Sequence, residues 1–294
     1  GCIDPELSFP SEGGRAVMKN KKFSTFLTVL FSIISVFYMC PIALVVMNSF
    51  KKKAYISKKP FALPNAKSFV GFDNYISGIQ KTGLIQAAWV SLFVTVLSVI
   101  VIVLCTSMCA WYITRVHTKF TAAVYYLCLF SMIVPFQMVM FPLSKIANML
   151  RLSNPLGLVF IYLGFGAGLA VFMFTGFVKS LPLAIEEAAM IDGCTPIQTF
   201  FYVVMPIMKP TCITVAILET MWVWNDYLLP SLVLDLKKWK TIPIAVQYLK
   251  GGYGSVDMGA MMGVLVLSII PIILFYAFCQ KYIIEGVVAG AVKG

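Results

Sequence analysis

Long stretches without ionisable side chains dominate the chain. Asp, Glu, Lys, Arg and His are absent from five of them: 23–50, 82–114, 120–144, 152–178 and 258–280. Each exceeds the roughly 20 residues that a helix needs to cross the hydrocarbon core of a bilayer. Because backbone polar groups in lipid must be paired within their own segment, we predict transmembrane helices. The stretches are too long, and alternate too little, for the strands of a membrane barrel.

A sixth apolar stretch carries two acids, Glu219 and Asp226, but remains apolar enough to span. The predicted spans are 23–48, 84–113, 120–141, 155–178, 211–234 and 256–280. Pro135 lies inside the third span, and Pro142 is predicted to close it. Gly164 and Gly168 lie one turn apart in the fourth, a spacing that lets another helix approach closely. An all-α integral membrane protein follows, with both termini on one side.

Composition agrees with this class. Hydrophobic residues make up 60% of the 294 positions and charged residues 12%, whereas soluble domains are about half apolar and a quarter charged. The net charge of +11 does not indicate nucleic acid, because the lysines lie in the connecting segments and are expected to meet water and anionic lipid. Most cysteines fall inside spans and are interpreted as structural. Cys105 and Cys109 share a helix face but have no His or carboxylate beside them, so no metal site is predicted.

The chain divides into four parts. Residues 1–17 are polar, precede Met18 and lack an apolar core, so we expect a non-native or disordered leader that is not a signal peptide. Residues 18–82 form the first span and a polar segment, residues 83–283 form the remaining membrane domain, and residues 284–294 form a tail.

Charge leaves the orientation open. If the termini are cytoplasmic, ten Lys and Arg residues lie inside and thirteen outside, including Lys51, Lys52 and Lys53 directly after the first span. The positive-inside rule therefore does not support that orientation.

The polar segment 179–210, between the fourth and fifth spans, has the signals of two short helices joined by a turn. Pro182 can open the first helix, and Glu186 and Glu187 fall in its early turns, where the helix dipole favours acids. Gly193 suits the left-handed position that ends a helix. The second helix has Thr195 as its N-cap, Pro196 at its first position and Gln198 completing a capping box, and two prolines, 206 and 210, are predicted to close the unit.

The spacing within this segment is specific. Glu187, Ala188 and Ala189 are followed after three residues by Gly193, and after nine more by Val203, Val204, Met205 and Pro206. The pattern resembles the cytoplasmic loop signature of binding-protein-dependent ABC importer permeases, with Val for Ile and Met for Leu. The stretches CAWYITR (109–115), PLSKIANMLRLSNPLG (142–157), WVWNDYLLP (222–230) and QKYIIEGVVAGAVKG (280–294) resemble the carbohydrate branch, in particular MalG-like subunits.

The resemblance implies a subunit of a sugar importer in the bacterial inner membrane, with segment 179–210 and both termini cytoplasmic. A G-x-x-x-x-G-K-[ST] phosphate loop is absent from the sequence, so the chain is not expected to be an enzyme. The implied partners are a second, MalF-like permease, a homodimeric ATPase that binds ATP and Mg²⁺, and an extracellular sugar-binding protein. This chain itself is expected to bind no cofactor.

The resemblance also implies the residues that dock the ATPase. In this chain they are Glu186, Glu187, Ala188, Ala189, Asp192, Gly193 and Pro206. Glu187 would pair with a basic residue of the ATPase, the alanines would keep the contact close, Gly193 would make the turn and Asp192 would brace it. Without the family pattern, the three acids would be interpreted as a solvated face.

A substrate pathway is a further hypothesis. Glu219, Trp222 and Asp226 are spaced to share one helix face, and ionisable groups within spans normally face the bundle interior or water. Carboxylates accept hydrogen bonds from sugar hydroxyls, and indole packs on pyranose rings. Asn225 and Gln137 are weaker candidates. The alternative is that Asp226 lies at the interface and Glu219 pairs with another helix.

Two other functions remain open at this point. An ion-coupled secondary transporter would use Glu219 as its proton site and Pro135 and Pro271 as helix breaks, although we find no inverted repeat. A scaffold or channel subunit would explain the spans but not the capped segment. Two further contact surfaces are predicted, namely the aromatic and Gly-rich segment 235–255, for a binding protein, and the tail 280–294, for the ATPase.

Overall fold

The computed structural model describes residues 21–249 and 257–291, and in those ranges it is helical with no strand beyond one isolated bridge. Four helices are long and apolar enough to cross a membrane: α1 (Lys21–Ser49), α4 (Leu84–Arg115), α7 (Pro155–Val178) and α14 (Met258–Ala291). Two sharply bent helix pairs raise the number of candidate spans to six. The predicted all-α membrane fold is therefore confirmed.

The first bent pair corrects the third predicted span. The chain bends by 109° between α5 (Lys119–Ile133) and α6 (Phe136–Met149). Proline disfavours the helical conformation of the residue before it, and Val134, which precedes Pro135, is extended with φ −73° and ψ 116°. Pro142 lies inside α6, so the prediction that it closes the span is wrong.

The second bent pair corrects the fifth span. The chain bends by 77° between a helical run over Pro196–Ile207 and α11 (Lys209–Asn225). α11 ends at Asn225, because the Asp226 side chain accepts hydrogen bonds from the backbone amides of Leu228 (2.9 Å) and Leu229 (3.4 Å). These bonds begin a new helix, α12 (Leu228–Val233), so the span does not run unbroken to residue 234.

The core lies where α4, α7 and α11 pack together, with α5 against α7. Gly168 allows the close approach of α5, since an added Cβ would lie 2.7 Å from the carbonyl oxygen of Cys128. Gly164 has no neighbour within 4 Å of such a Cβ. The predicted glycine pair is therefore one contact position, Gly168, with Gly164 facing open space.

α1 and α14 are peripheral. None of the most apolar window of α1, and 11% of that of α14, is buried within the chain. α14 is continuous through Pro271 and extends to Ala291, so most of the predicted tail continues this helix. The leader 1–17, positions 250–255 of the predicted segment 235–255 and the last three residues lie outside the described residues.

The connections define two faces. Segment 179–210 lies on one, which we name the loop face, and residues 50–83, 134–154, 226–249 and Asp257 lie on the opposite face. There α2 (Lys53–Lys58) and α3 (Asp73–Thr82) pack against α14, and a further helix, α13 (Ile242–Tyr248), packs against α4.

A buried lysine organises the first connection on the opposite face. Lys51 is 1% exposed, and its ammonium group donates to Asn48 Oδ1 (3.0 Å) and to the carbonyls of Lys59 and Pro60. Burial lowers the pKa of Lys51. The side-chain amide of Asn74 in α3 donates to the carbonyls of Ser49 (2.7 Å) and Lys51 (2.9 Å), so α3 is joined to the end of α1.

We predict that Asn74→Ala destabilises this connection, because it leaves two partly buried carbonyls without their donor at a cost of about 1–3 kcal/mol. The midpoint of thermal unfolding of the purified protein should fall. Gln80→Ala, at an exposed position of the same helix, is the control and should leave the midpoint unchanged. Equal midpoints for both variants would contradict the role given to Asn74.

Candidate docking loop and intramembrane carboxylates

Segment 179–210 contains two helices joined by a tight turn. α8 covers Leu183–Ile191 and α9 covers Pro196–Thr199. Between them Gly193 has φ +89°, the left-handed conformation predicted for it. The amide of Gly193 donates to the carbonyl of Met190 (3.1 Å), and that of Cys194 donates to the carbonyl of Ala189 (3.0 Å).

The start of the second helix has its predicted cap. The Thr195 amide donates to Gln198 Oε1 (2.8 Å), and the Gln198 amide donates to Thr195 Oγ1 (3.4 Å). A single turn of π-helix, Phe200–Val204, then leads into α10 (Met205–Ile207). Pro206 and Pro210 lie in the first turns of α10 and α11, where a missing amide donor costs nothing. They flank the 77° bend and do not close the unit as predicted.

One carboxylate anchors this segment to the membrane domain. Glu186 is 3% exposed, and its Oε1 accepts hydrogen bonds from Arg115 Nε (2.9 Å) and Nη2 (2.6 Å) at the end of α4. Its Oε2 accepts from Trp111 Nε1 (2.9 Å), one turn earlier in α4. Arg115 Nη2 also donates to the carbonyl of Leu181 (3.1 Å), and the Trp111 ring packs on Phe200, with centroids 5.4 Å apart. We name Glu186, Arg115 and Trp111 the clamp.

The clamp corrects the prediction that Glu186 belongs to the docking surface. Both of its oxygens are satisfied within the chain, so it presents no free charge to a partner. Sequence analysis missed Arg115 and Trp111 as functional residues. Their spacing of four positions on one helix face, at the end of a span, is the signal that marks them.

The other predicted docking residues lie mostly on the surface. Glu187, Ala188, Asp192, Gly193 and Pro206 are exposed, whereas Ala189 faces inward at 9% exposure. Large apolar side chains accompany them. Those exposed on the segment include Leu183, Ile185, Met190, Ile191, Ile197 and Tyr202, with Ile191 86% exposed. Exposed large apolar side chains of this kind are typical of surfaces that contact another protein or a membrane.

Glu219 in α11 and Asp226, directly after that helix, lie in different surroundings. Glu219 is 2% exposed and lies against α4 and α7, where a Cβ added at Gly166 would lie 2.8 Å from Ile102 and 2.9 Å from Glu219 Oε2. That oxygen has no hydrogen-bond partner among the described residues. Glu219 is thus enclosed by its own chain. The prediction that it lies on the substrate pathway is therefore wrong.

Trp222 and Asp226 share a neighbour that sequence analysis did not identify. The hydroxyl of the fully buried Tyr162, in α7, donates to Asp226 Oδ2 (2.9 Å). The Trp222 ring meets the Tyr162 ring edge to face at 5.3 Å and remains 41% exposed. Asn225 is exposed and donates to the carbonyl of Met221 (2.7 Å). Gln137 is exposed in the first turn of α6.

A protein-family model described as "Binding-protein-dependent transport system inner membrane component" matches residues 102–288. The matched range includes the clamp, α11 and segment 179–210, which we name the candidate docking loop, and it covers more than half of the chain. The chain belongs to this family. The sequence-based assignment is confirmed, and the protein is a multi-pass membrane permease.

Full-length relatives support the assignment. The permease is 36% identical over 279 residues to the probable starch degradation products transport system permease protein AmyC of Thermoanaerobacterium thermosulfurigenes, covering 95% of this chain and 99% of that one. It is 34% identical to the multiple sugar-binding transport system permease protein MsmG of Streptococcus mutans, covering 90% and 95%. A chain of a bacterial ABC transporter involved in the import of the acidic polysaccharide alginate has the same fold, with a TM-score of 0.72, 22% identity and coverage of 90% and 98%.

We predict that Arg115 and Glu186 contribute to thermal stability in a strongly interdependent way. Arg115→Met leaves the buried Glu186 carboxylate without its cation, and removing one partner of a buried pair costs roughly 3 kcal/mol. Adding Glu186→Gln removes the stranded charge while keeping an acceptor for Trp111, so the double variant should recover at least half of the lost thermal stability. Glu187→Gln, exposed on the same helix, is the control and should unfold as the wild type does. Losses that simply add in the double variant would refute the coupling.

Proposed function

We propose that this permease forms half of the translocation pathway of an ATP-driven, binding-protein-dependent importer of sugars or oligosaccharides. Membership of the family supports the transport class, and the names of the relatives, which refer to starch degradation products and multiple sugars, support the carbohydrate class. The observation that carries the proposal is the docking loop, whose exposed apolar and acidic surface is held to the membrane domain by the clamp.

In this proposal the loop face is cytoplasmic, both termini lie on that side, and the membrane is the bacterial inner membrane. The ATPase that docks there supplies ATP hydrolysis, since the sequence contains no phosphate loop. The remaining partners are a second, MalF-like permease and an extracellular sugar-binding protein. ATP and Mg²⁺ bind to the homodimeric ATPase.

The docking surface comprises Glu187, Ala188, Asp192 and Gly193 together with the exposed apolar side chains of α8 and α9. Glu187 offers an unpaired negative charge for a basic residue of the ATPase, since no hydrogen bond or ion pair within the described chain involves its side chain. The apolar side chains supply buried area when the two proteins meet. Glu186, one position earlier, does not contact the ATPase and instead joins α8 to Arg115 and Trp111 of α4.

The clamp provides the mechanical link. Two nitrogens of the Arg115 guanidinium group donate to the same oxygen, Oε1 of Glu186, while Oε2 accepts from Trp111, so the carboxylate is held at both of its oxygens. Hydrogen bonds between charged groups are stronger than those between neutral ones. Trp111 and Phe200 add an aromatic contact on the other side. A displacement of α8 therefore moves the end of α4, and α4 packs along α7 in the core of the membrane domain.

The substrate pathway in this proposal passes Trp222, whose ring is supported from within the chain by the buried Tyr162 and its partner Asp226. Trp222 and Asn225 are exposed and can meet a sugar at the junction with the second permease. Asp226 is held by Tyr162 and by the start of α12, and Tyr162 in turn packs against Trp222. The ion-coupled alternative has no support from the family, and Glu219 is enclosed within the chain.

We predict that Glu187→Lys and Gly193→Asp uncouple transport. The first reverses a docking charge. The second places a side chain at φ +89°, where open space leaves only the backbone strain, about 1 kcal/mol or more. Both variants should reach the membrane at normal levels but lose copurification with the ATPase and lose uptake of radiolabelled oligosaccharide. Asp73→Lys, the same charge change on the opposite face, is the control and should retain both.

The energy source is tested in the same cells. Uptake should persist when an ionophore collapses the proton and sodium gradients, and it should stop when ATP is depleted. Uptake that follows the ion gradient, or that both loop variants retain, would overturn the proposed function.

A further inference from the structure

The two faces of the permease differ sharply in charge. Among the described residues, the connections of the opposite face carry twelve Lys and Arg residues against four acids, whereas the loop face, with the described ends of α1 and α14, carries seven against four. In a membrane protein whose loop face is cytoplasmic, the positive-inside rule favours the reverse distribution. The excess of cations outside therefore needs a reason other than membrane insertion.

Part of this charge converges on one concave site. A polar cavity of about 140 Å³ lies at the start of α4 on the opposite face, lined by Lys81, Gln86, Lys237, Lys238 and Lys240. The side chain of Gln86 donates to the carbonyl of Lys238 at 3.4 Å, which ties the segment after α12 to the first turn of α4. We name this cavity and its lysines the basic pocket.

Two of these cations are unpaired. Lys81 forms an ion pair with Asp257, and the Lys240 ammonium group lies 3.8 Å from the centroid of the Tyr248 ring. Lys237 and Lys238 are exposed, and no acid pairs with either in the part of the chain that the structure describes. The pocket thus has a positive potential with two cations available to a partner.

We propose that the basic pocket is the electrostatic docking point for an acidic patch on the extracellular binding protein, with a carboxylate of that protein entering between Lys237 and Lys238. This inference rests on the proposed function, which sets the opposite face outside the cell. It goes beyond that function in two respects: the partner surface is acidic, and Lys237 and Lys238 are the residues that bind it.

Size and position favour a protein over other anions. Pockets for small molecules usually enclose about 300–1,000 Å³, so a cavity of about 140 Å³ suits a single side chain better than an oligosaccharide. Anionic lipid gives a negative surface potential mainly to the cytoplasmic leaflet, which lies at the other face. Charge complementarity at the edge of an interface acts chiefly on the association rate and on partner choice.

The test uses the assembled transporter in neutral phosphatidylcholine nanodiscs and the solute-binding protein that copurifies with it. A zero-length carbodiimide should join Lys237 or Lys238 to an Asp or Glu of the binding protein, identified by mass spectrometry. The double variant Lys237→Glu/Lys238→Glu should bind that protein at least roughly tenfold more weakly at low salt. Its affinity should also lose most of the salt dependence seen in the wild type.

Controls separate this inference from the proposed function. Lys119→Glu, an exposed lysine at the start of α5 on the loop face, should leave the affinity unchanged. ATPase activity without binding protein and assembly with the partners should be normal in all variants, and failure of that assembly in the wild type would instead count against the proposed function. Normal affinity of the double variant would overturn the inference. So would intact binding-protein affinity together with a loss of phosphatidylglycerol binding, measured in parallel nanodiscs that contain this lipid, or together with a loss of affinity for an anionic solute alone.

Discussion

The ion pair between Arg115 and Glu186 is the constraint on which the rest of this structure depends. It joins a polar surface segment to the end of a transmembrane helix through short hydrogen bonds from a single guanidinium group. Because Glu186 is buried, separating it from Arg115 would leave a charge without water or a counterion, which is far more costly than losing a surface contact. The segment is thus held as part of the membrane domain, although it projects beyond it.

The membrane domain itself is held together by close packing. Gly166 and Gly168 let α11 and α5 approach α7, and the positions that an added Cβ would occupy are already filled. Polar side chains within this packing are bound by neighbours, as Asp226 is by Tyr162, or enclosed, as Glu219 is. α1 and α14 contribute little to the core, which leaves their apolar surfaces for lipid or a second permease.

Local features were predictable from sequence and distant contacts were not. The turn at Gly193 and the capping box of Thr195 and Gln198 follow from a few neighbouring residues, and both are present. Glu186 and Glu187 appear equivalent in sequence, yet successive helical residues point about 100° apart, so one is buried and the other exposed. The partner that separates them, Arg115, is 71 residues away. Likewise Pro135 predicts a local break, but the sequence does not show that α6 then packs beside α12, where Ser144 Oγ donates to the carbonyl of Leu232 (2.8 Å).

We propose that α8 and the end of α4 move as one body. Spin labels at Ala184→Cys and Tyr112→Cys, two exposed positions on these helices, report on it in the assembled transporter in a background without other cysteines. Pulsed electron paramagnetic resonance should give one narrow distance distribution that is the same without nucleotide and with ATP trapped, and Arg115→Met should broaden it. A shift of the wild-type distribution on ATP binding would show that the loop moves independently of the membrane domain and would contradict the account.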